Sequence, residues 1–397
     1  MIPKEKRNEN KISMPLICLG MFLISMFCNP DPYLGIADHY IFLLAYLLLC
    51  FLCYKRIIVN NDTQICMFML GWLLLSCIVA LFTGEISSGY VLSYFLYALT
   101  LLLVNGTRHS KKDVEFFLNS YILSAVIICA LIVVFRYDYY GSGGERITIK
   151  IFGNPAIDPN YLGAYLVVPF TLCYGKLLKK IKWTNCVAIL LLAAGMFSTA
   201  SRGAMLAAFS GVFVTTFLYL KKSKKQRSVK AKKNKGKKIL IIAAVILICC
   251  IVVSKYVPVN SLIRLFNFSG YDDASNSKRF ANWLAGLEAF YQRPLFGYGP
   301  CGEMGIIQAV TGMSRISHST YIAALIQFGS IGVLLFGVYI CYMLRKNKNS
   351  CTVIGSIVAT LVVCIFVSAQ VAVFLWIPLI MSSIVGNYEE KDSLSII

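Results

Sequence analysis

Charged side chains are scarce in this sequence, at 14% of residues, whereas hydrophobic residues make up 58% and the mean hydropathy is +0.71. A soluble domain typically has about 25% charged and about 45–50% apolar residues. The shortage of charge therefore excludes an ordinary soluble domain and predicts a polytopic membrane protein.

Acidic residues are the scarcer sign, with 18 Asp and Glu against 38 Lys and Arg, so the net charge is +20. Eleven of the basic residues lie in one run, 221–238, between two apolar segments. Such a run is typical of a cytoplasmic loop beside anionic lipid. We therefore expect a membrane lipid contact here and no nucleic-acid partner.

The signatures of several enzyme classes are missing. The sequence has no Gly-x-Ser-x-Gly segment of an α/β hydrolase, and its Gly-rich stretch 141–144 lacks the Gly-Lys-Ser/Thr ending of a P-loop. It has 3 histidines, and no cluster has metal-ligand spacing. The 15 cysteines lie mostly within apolar runs, where Cys packs as a small hydrophobe. We expect neither a metal nor a cofactor.

Twelve apolar runs approach or exceed the length of a membrane-spanning helix, which needs about 20 residues. The first run follows four basic residues and lacks a small-residue cleavage site, so we expect it to remain as a helix. The sequence predicts an all-α, polytopic membrane protein with a single integral membrane domain over residues 1–397. The predicted spans are 12–28, 37–53, 64–83, 88–104, 114–135, 157–174, 184–200, 203–220, 239–256, 319–342, 351–367 and 371–386.

Basic residues alternate along the connections between these spans. The short connections 29–36 and 84–87 carry no Lys or Arg, whereas the connections that alternate with them are basic. The positive-inside rule therefore places both termini and the run 221–238 in the cytoplasm. The long polar insertion before the tenth span, 257–318, then lies outside the cytoplasm. We predict scaffold helices over 12–135 and a catalytic half over 157–220 and 239–342.

Arg202 interrupts the apolar pattern, in a small-residue hinge with apolar helix on both sides and no adjacent acid. An ionisable residue at such a boundary is costly and indicates function. The alternative is an arginine that reaches lipid phosphate. Several further cations on the outer side favour an anionic ligand, because guanidinium groups form bidentate bonds to phosphate. Three of them are Lys278, Arg279 and Arg315.

His318 lies between Ser317 and Ser319 at the start of the tenth span. The positive end of a helix dipole disfavours the protonated ring, and a neutral imidazole can accept a proton from a sugar hydroxyl. A structural histidine is the alternative. Asp158 precedes Pro159 at the start of the sixth span, a pattern that fits both a helix N-cap and a site residue.

Six short segments that include Asp158, Arg202, Arg279 and His318 follow one another along the chain in an order that resembles the O-antigen ligase and polymerase superfamily of bacterial membrane glycosyltransferases. The family often has His-Asn where this chain has His318-Ser319. The resemblance covers roughly residues 150–340. It rests on Asp158-Pro159-Asn160, Ser201-Arg202-Gly203-Ala204, Arg279 with Trp283, Pro294-Leu295-Phe296-Gly297-Tyr298-Gly299, His318-Ser319-Thr320-Tyr321 and Gly329-Ser330-Ile331-Gly332.

The resemblance implies a C-type glycosyltransferase-like fold of about twelve transmembrane helices, with a large extracytoplasmic loop before the tenth. It implies glycans on undecaprenyl diphosphate as donor and acceptor, and a metal-independent, inverting transfer. His318 would activate the acceptor hydroxyl, while Arg202 and Arg279 would bind the diphosphate and stabilise its charge as the lipid leaves. Trp283 and Tyr298 would stack on sugars or dock the loop onto the membrane. The predicted substrate-binding residues are Asp158, Asn160, Arg315, Lys278, Trp283 and Tyr298.

The function predicted from the sequence is polymerisation of repeat units for a capsular, exo- or cell-wall polysaccharide at the outer face of the bacterial cytoplasmic membrane. A chain-length regulator is a further candidate partner. One alternative is a ligase that moves finished glycan to another acceptor; the Asp-Pro-Asn piece favours the polymerase. The other alternative is a transporter or flippase, but those proteins place polar residues at the bilayer midplane and show repeats. Here the polar residues collect at the outer edge.

Overall fold

The structure is a computed structural model, and it describes residues 11–25, 40–54, 58–83, 87–141, 144–150, 157–225, 271–369 and 371–388. Several predicted segments lie outside the described residues. They are the ninth span at 239–256, residues 226–238 of the basic loop and residues 257–270 of the insertion. Residues 221–225, which were predicted to belong to the basic loop, continue a helix instead.

The described residues form thirteen helices and one β-hairpin. In chain order the elements are α1 (Met14–Ser25), α2 (Tyr40–Cys53), α3 (Asn61–Thr83), α4 (Ser88–Asn105), α5 (Lys111–Val134), β1 (Arg136–Gly141), β2 (Gly144–Ile149), α6 (Pro159–Lys179), α7 (Trp183–Ser198), α8 (Arg202–Lys225), α9 (Tyr271–Gln292), α10 (Glu303–Thr311), α11 (Thr320–Lys346), α12 (Cys351–Val363) and α13 (Val373–Gly386).

Eleven of the thirteen described helices coincide with predicted spans, and the other two, α9 and α10, lie in the insertion. Helices α3, α4, α5, α6, α8 and α11 are long and apolar enough to cross a membrane, and α1, α2, α7, α12 and α13 are shorter apolar helices. The prediction of an all-α polytopic membrane protein is therefore confirmed. The count of twelve full spans stays a prediction, as do the division into a scaffold and a catalytic half and the orientation of the termini.

The β-hairpin between α5 and α6 was not predicted. Strands β1 and β2 pair antiparallel from Arg136 opposite Ile149 to Gly141 opposite Gly144. The segment alternates tyrosines and charged residues with isoleucine and threonine, which is a strand pattern when read with a period of two. Residues Ile147 and Ile149 are buried, and the hairpin contacts α5, α6 and α7.

Local sequence explains where helices α5 and α6 begin. At α5, the Ser110 side chain accepts from the amide of Asp113, and the Asp113 carboxylate accepts from the amide of Ser110, which is a capping box. At α6, Asp158 is the N-cap and Pro159 takes the first helical position. Helix α6 then runs through the centre of the main hydrophobic core, with nearly all of its residues from Leu162 to Leu178 buried.

A second, smaller core lies beneath the polar insertion. Trp283 and Phe290 of α9 pack against it. This core joins α9 and α10 to the first half of α11, and its buried members are Ala285, Ala289, Tyr298, Cys301, Ile306, Ile307, Ile322 and Ile326.

Helix α11 is broken at Gly329, where φ is 63° and ψ is −174°. The turn after α9 occupies the break, because the amide of Ser330 donates to the Pro294 carbonyl at 2.8 Å, and the amide of Tyr298 donates to the Ile326 carbonyl at 2.9 Å. Next to the break, the fully buried side chain of Gln327 accepts from the Tyr94 hydroxyl at 2.5 Å. The break thus anchors the insertion to the transmembrane helices.

Candidate active site

His318 ends the loop between α10 and α11, and its backbone has a φ of 53°. A residue with a side chain pays about 1–3 kcal/mol to stay in this left-handed region, so the surrounding contacts must hold it there. Two hydrogen bonds lie two residues further on: the Thr320 amide donates to the Cys364 carbonyl at 2.9 Å, and the Thr320 hydroxyl donates to the Val367 carbonyl at 2.6 Å. The start of α11 is thereby fixed against the end of α12.

Two charged residues that are distant in the sequence act on the His318 ring. The protein packed around His318 lowers the pKa of the imidazole below its ordinary value, and the Arg279 guanidinium lowers it further, while the Asp158 carboxylate opposes both. The residue itself remains exposed. A neutral imidazole that is open on one side, with an arginine beside it, can accept a proton from a bound hydroxyl.

Arg202 begins α8, directly after the hinge that follows α7. The hinge turns sharply at Ala200, whose φ is 47°. Its Ser201 hydroxyl donates to the Asn160 side-chain oxygen at 3.2 Å, in the first turn of α6. Because Asp158 caps that same turn, the hinge brings Arg202 to the end of α6 that carries Asp158. Arg202 is half-buried.

Arg146 connects the β-hairpin to this hinge. Its Nε donates to the Thr199 carbonyl at 2.8 Å and its Nη2 donates to the Asn160 side-chain oxygen at 2.8 Å. The residue is only 5% exposed. Asn160 therefore accepts from both the hairpin and the hinge, so its side-chain oxygen serves the geometry of the site.

Glu303 is the other charged residue that sequence reasoning missed. Its carboxylate accepts from the Ser317 hydroxyl at 2.5 Å and from the Ser368 hydroxyl at 2.6 Å. Burial raises the pKa of the Glu303 carboxyl, and the hydrogen bonds from Ser317 and Ser368 oppose that rise. Tyr161 of α6 reaches the same place, since its hydroxyl donates to the Ser368 carbonyl at 2.6 Å.

The remaining predicted site residues occupy three kinds of position. Lys278 is exposed on α9, and the half-buried Arg315 donates to the Asn282 side-chain oxygen at 3.3 Å. Trp283 packs against the second core. Tyr298 is buried, with the Arg293 guanidinium 4.6 Å from its ring centre. Both rings therefore dock the insertion, and their binding of sugar stays a prediction.

An apolar cavity of about 190 Å³ opens beside the start of α11. One end is lined by Thr320, two residues after His318, and its α11 wall continues as far as Ile340. Helices α3, α4, α12 and α13 supply the other walls, among them the rings of Trp72 and Trp376. An apolar space of this kind, next to a polar site, can take a hydrocarbon chain.

The sequence held partial signals for the two missed residues. Arg146 is a cation in a segment that alternates like a strand, and Glu303 is a lone acid ahead of the apolar run Met304–Val310. Neither signal names a partner, because the bonds of Glu303 join residues 14 and 65 positions away. Within the described part of the chain, no group of three His, Cys, Asp or Glu residues is placed to hold a metal ion.

Residues 187–337 match the family model described as O-Antigen ligase. The matched stretch contains Arg202, Arg279 and His318, whereas Asp158 and Asn160 precede it. No curated protein matches the chain. The match confirms the resemblance to the O-antigen ligase and polymerase superfamily, and it supports a membrane protein that processes glycans in the manner of that superfamily.

Proposed function

We propose that this chain, which is similar to the O-antigen ligase family over residues 187–337, polymerises lipid-linked oligosaccharide repeat units. The observation that carries the proposal is that the charges of Arg279 and Asp158, from two distant segments, both act on the pKa of the exposed His318 ring. These residues come from three separate segments. Their grouping gives a neutral base, a cation and an acid within one exposed site.

In the proposed reaction, a hydroxyl of the acceptor glycan attacks the anomeric carbon of the donor glycan. The bond from that carbon to the diphosphate oxygen breaks, the configuration inverts, and the hydroxyl proton passes to the imidazole of His318. The diphosphate leaves with its lipid and gains negative charge as it does so. Arg279 and Arg202 stabilise this charge, and they act most strongly in the transition state because the charge is still developing there.

The apolar cavity supports a lipid-linked substrate. A polyprenyl diphosphate has a charged head and a long hydrocarbon tail, so its site needs cations beside an apolar space. The cavity begins at Thr320, and Arg279 acts on His318 two residues earlier. We infer that undecaprenyl diphosphate is the carrier, with its head at Arg279 and Arg202, and that no metal takes part.

The charge pattern of the connections supports the membrane face of this reaction. Basic connections alternate with the connections 29–36 and 84–87, which carry no Lys or Arg, and this pattern favours cytoplasmic termini and an extracytoplasmic insertion. The proposed location is therefore the outer face of the bacterial cytoplasmic membrane, where lipid-linked repeat units would feed a capsular, exo- or cell-wall polysaccharide. A chain-length regulator and membrane lipids are proposed partners.

The direct test is to incubate the purified, reconstituted protein with lipid-linked repeat units alone and to measure the length of the lipid-linked glycan. His318→Ala is expected to slow lengthening by about 10²–10⁴-fold, the usual contribution of a general base. Arg279→Lys is expected to slow it strongly, because a point charge replaces a bidentate fork. Arg345→Lys, at the exposed far end of α11, is the matched control and should leave the rate unchanged.

The family description favours one second candidate, transfer of a finished glycan to a different acceptor. The same assay separates the two functions. Longer lipid-linked chains without any added acceptor support the polymerase. A product that forms only after a second acceptor is supplied supports the ligase and refutes polymerisation. Normal lengthening by the His318→Ala protein would refute the role of His318 in either reaction.

A further inference from the structure

Glu303 is a buried carboxylate that the proposed reaction does not use. It is 4% exposed and lies at the first position of α10, where the helix N-terminus favours a negative charge. One carboxylate oxygen accepts from both the amide and the hydroxyl of Ser317, at 3.3 and 2.5 Å. The other oxygen accepts from the Ser368 hydroxyl at 2.6 Å.

These bonds join two backbone segments that lie on either side of His318. Ser317 directly precedes the histidine, and its hydroxyl in turn accepts from the Ser319 amide at 3.2 Å. Ser368 follows the end of α12, the same segment that binds Thr320 through the Val367 carbonyl. The histidine is thus flanked by two fixed residues, and one carboxylate ties the first of them to the α12 segment.

The backbone of His318 needs such support. Its φ of 53° is unfavourable for a residue with a side chain, and a free loop would return it to the common regions. Helix α10 supplies a rigid base, because Ile306 and Ile307 are fully buried in the second core. The carboxylate is therefore held from one side by packing and from the other by three hydrogen bonds.

We propose that Glu303 is a positioning residue that keeps His318 in its left-handed conformation, beside Arg279 and Asp158, by holding the segments of Ser317 and Ser368 together. Its effect on catalysis rests on the proposed function, but its effect on the conformation of His318 does not. A glutamine side chain can keep both Ser317 bonds through its oxygen, but its nitrogen must donate to the Ser368 hydroxyl instead of accepting from it, and the negative charge is lost. An apolar side chain can replace none of the three bonds.

The kinetic test uses Glu303→Ala, Glu303→Gln and the control Glu288→Ala, which removes an exposed acid of α9. We expect kcat for glycan lengthening to fall at least tenfold in Glu303→Ala, with KM little changed, and to fall less in Glu303→Gln. Glu288→Ala should match the native chain. Ser317→Ala should add little to Glu303→Ala, because both substitutions break the same contact. Fully additive losses, or an unchanged kcat, would overturn the proposal.

The conformational test measures the pKa of the His318 ring by NMR in full-length protein with labelled histidine, assigned through His318→Gln. Removing a negative charge alone would lower this pKa. Release of the ring from Arg279 and from the surrounding protein would instead raise it toward the ordinary value of about 6.5. A raised pKa in Glu303→Ala therefore supports positioning, and a lowered or unchanged pKa refutes it.

The Glu303 charge also acts on Tyr90 of α4 and Tyr161 of α6. The pKa of the His318 ring is therefore also measured in Tyr90→Phe and Tyr161→Phe, to exclude an indirect effect through these tyrosines. If Glu303→Ala fails to fold, the double variant Ser317→Ala/Ser368→Ala, which removes both hydroxyl contacts and keeps the Glu303 charge, carries both measurements with the same expected signs. If the native protein lengthens no glycan, while Glu303→Ala still raises the pKa of His318, the proposed function is refuted and the positioning role stands.

Discussion

Gly329 is expected to be irreplaceable in α11, although alanine is normally the better helix residue. Its φ of 63° and ψ of −174° lie in a region that is essentially restricted to glycine. A Cβ at this position would overlap the Leu295 carbonyl group and lie 2.7 Å from the Phe296 nitrogen. These atoms belong to the backbone of the turn that fills the break, so they cannot rotate away as a flexible side chain would.

The magnitude follows from both effects. The backbone conformation alone costs alanine about 1–3 kcal/mol. If the turn withdraws instead, the bonds from Tyr298, Gly299 and Ser330 are lost, at about 1 kcal/mol each. The expected loss is therefore about 1–3 kcal/mol. Gly337→Ala is the matched control in the same helix, because nothing lies within 4 Å of its added Cβ, and it should be neutral or slightly stabilising.

The thermal unfolding midpoint and the reactivity of Cys301 with an alkylating reagent together test this prediction. Cys301 is buried, and its carbonyl accepts from the Gln327 side chain next to the break. We expect Gly329→Ala to lower the midpoint of thermal unfolding clearly and to expose Cys301 to alkylation, measured by mass spectrometry. Gly337→Ala should do neither. Equal midpoints for the two variants, with Cys301 still protected, would show that the break does not anchor the insertion.

Two other predictions concern charge. Because the pKa of His318 lies below its ordinary value, glycan lengthening should persist at mildly acidic pH and fall as the pH drops through that pKa. Asp158→Asn should move this fall to lower pH, and Arg279→Gln should move it to higher pH. If both variants shift the pH–rate profile in the same direction, the assigned geometry is wrong. Arg146→Met should cost about 2–4 kcal/mol of stability, because two buried charge-assisted hydrogen bonds are lost. Arg136→Met, which breaks an exposed ion pair, should cost at most about 1 kcal/mol in the same thermal assay.

Much of the fold was predictable because hydrophobic length is a local property. A run of apolar residues that is long enough to cross a bilayer identifies a helix without reference to the rest of the chain. The start of α6 at Asp158-Pro159 and the hinge before Arg202 were also predictable, since capping residues and small-residue breaks act within a few positions. The ordered set of Arg202, Arg279 and His318 indicated the family for the same reason.

The hairpin and the break in α11 were not predictable to the same degree. The segment from Arg136 to Ile149 contains too few tyrosine, threonine and isoleucine residues to predict a strand rather than a connecting loop. The pattern around Gly329 continues an apolar helix, so nothing local demands a break. The break exists because a turn more than thirty residues earlier occupies it, as its bonds from Ser330 to Pro294 show.

The amino-acid sequence by itself determined that this protein is a bundle of membrane helices with a long polar insertion, because burial of apolar surface in lipid depends on composition along short stretches. The tertiary structure decided which polar groups meet. Glu303 finds Ser368, Arg146 finds Asn160, and Tyr94 finds Gln327 across 233 positions. Hydrogen bonds are short and directional, so such partners become known only when the helices are packed.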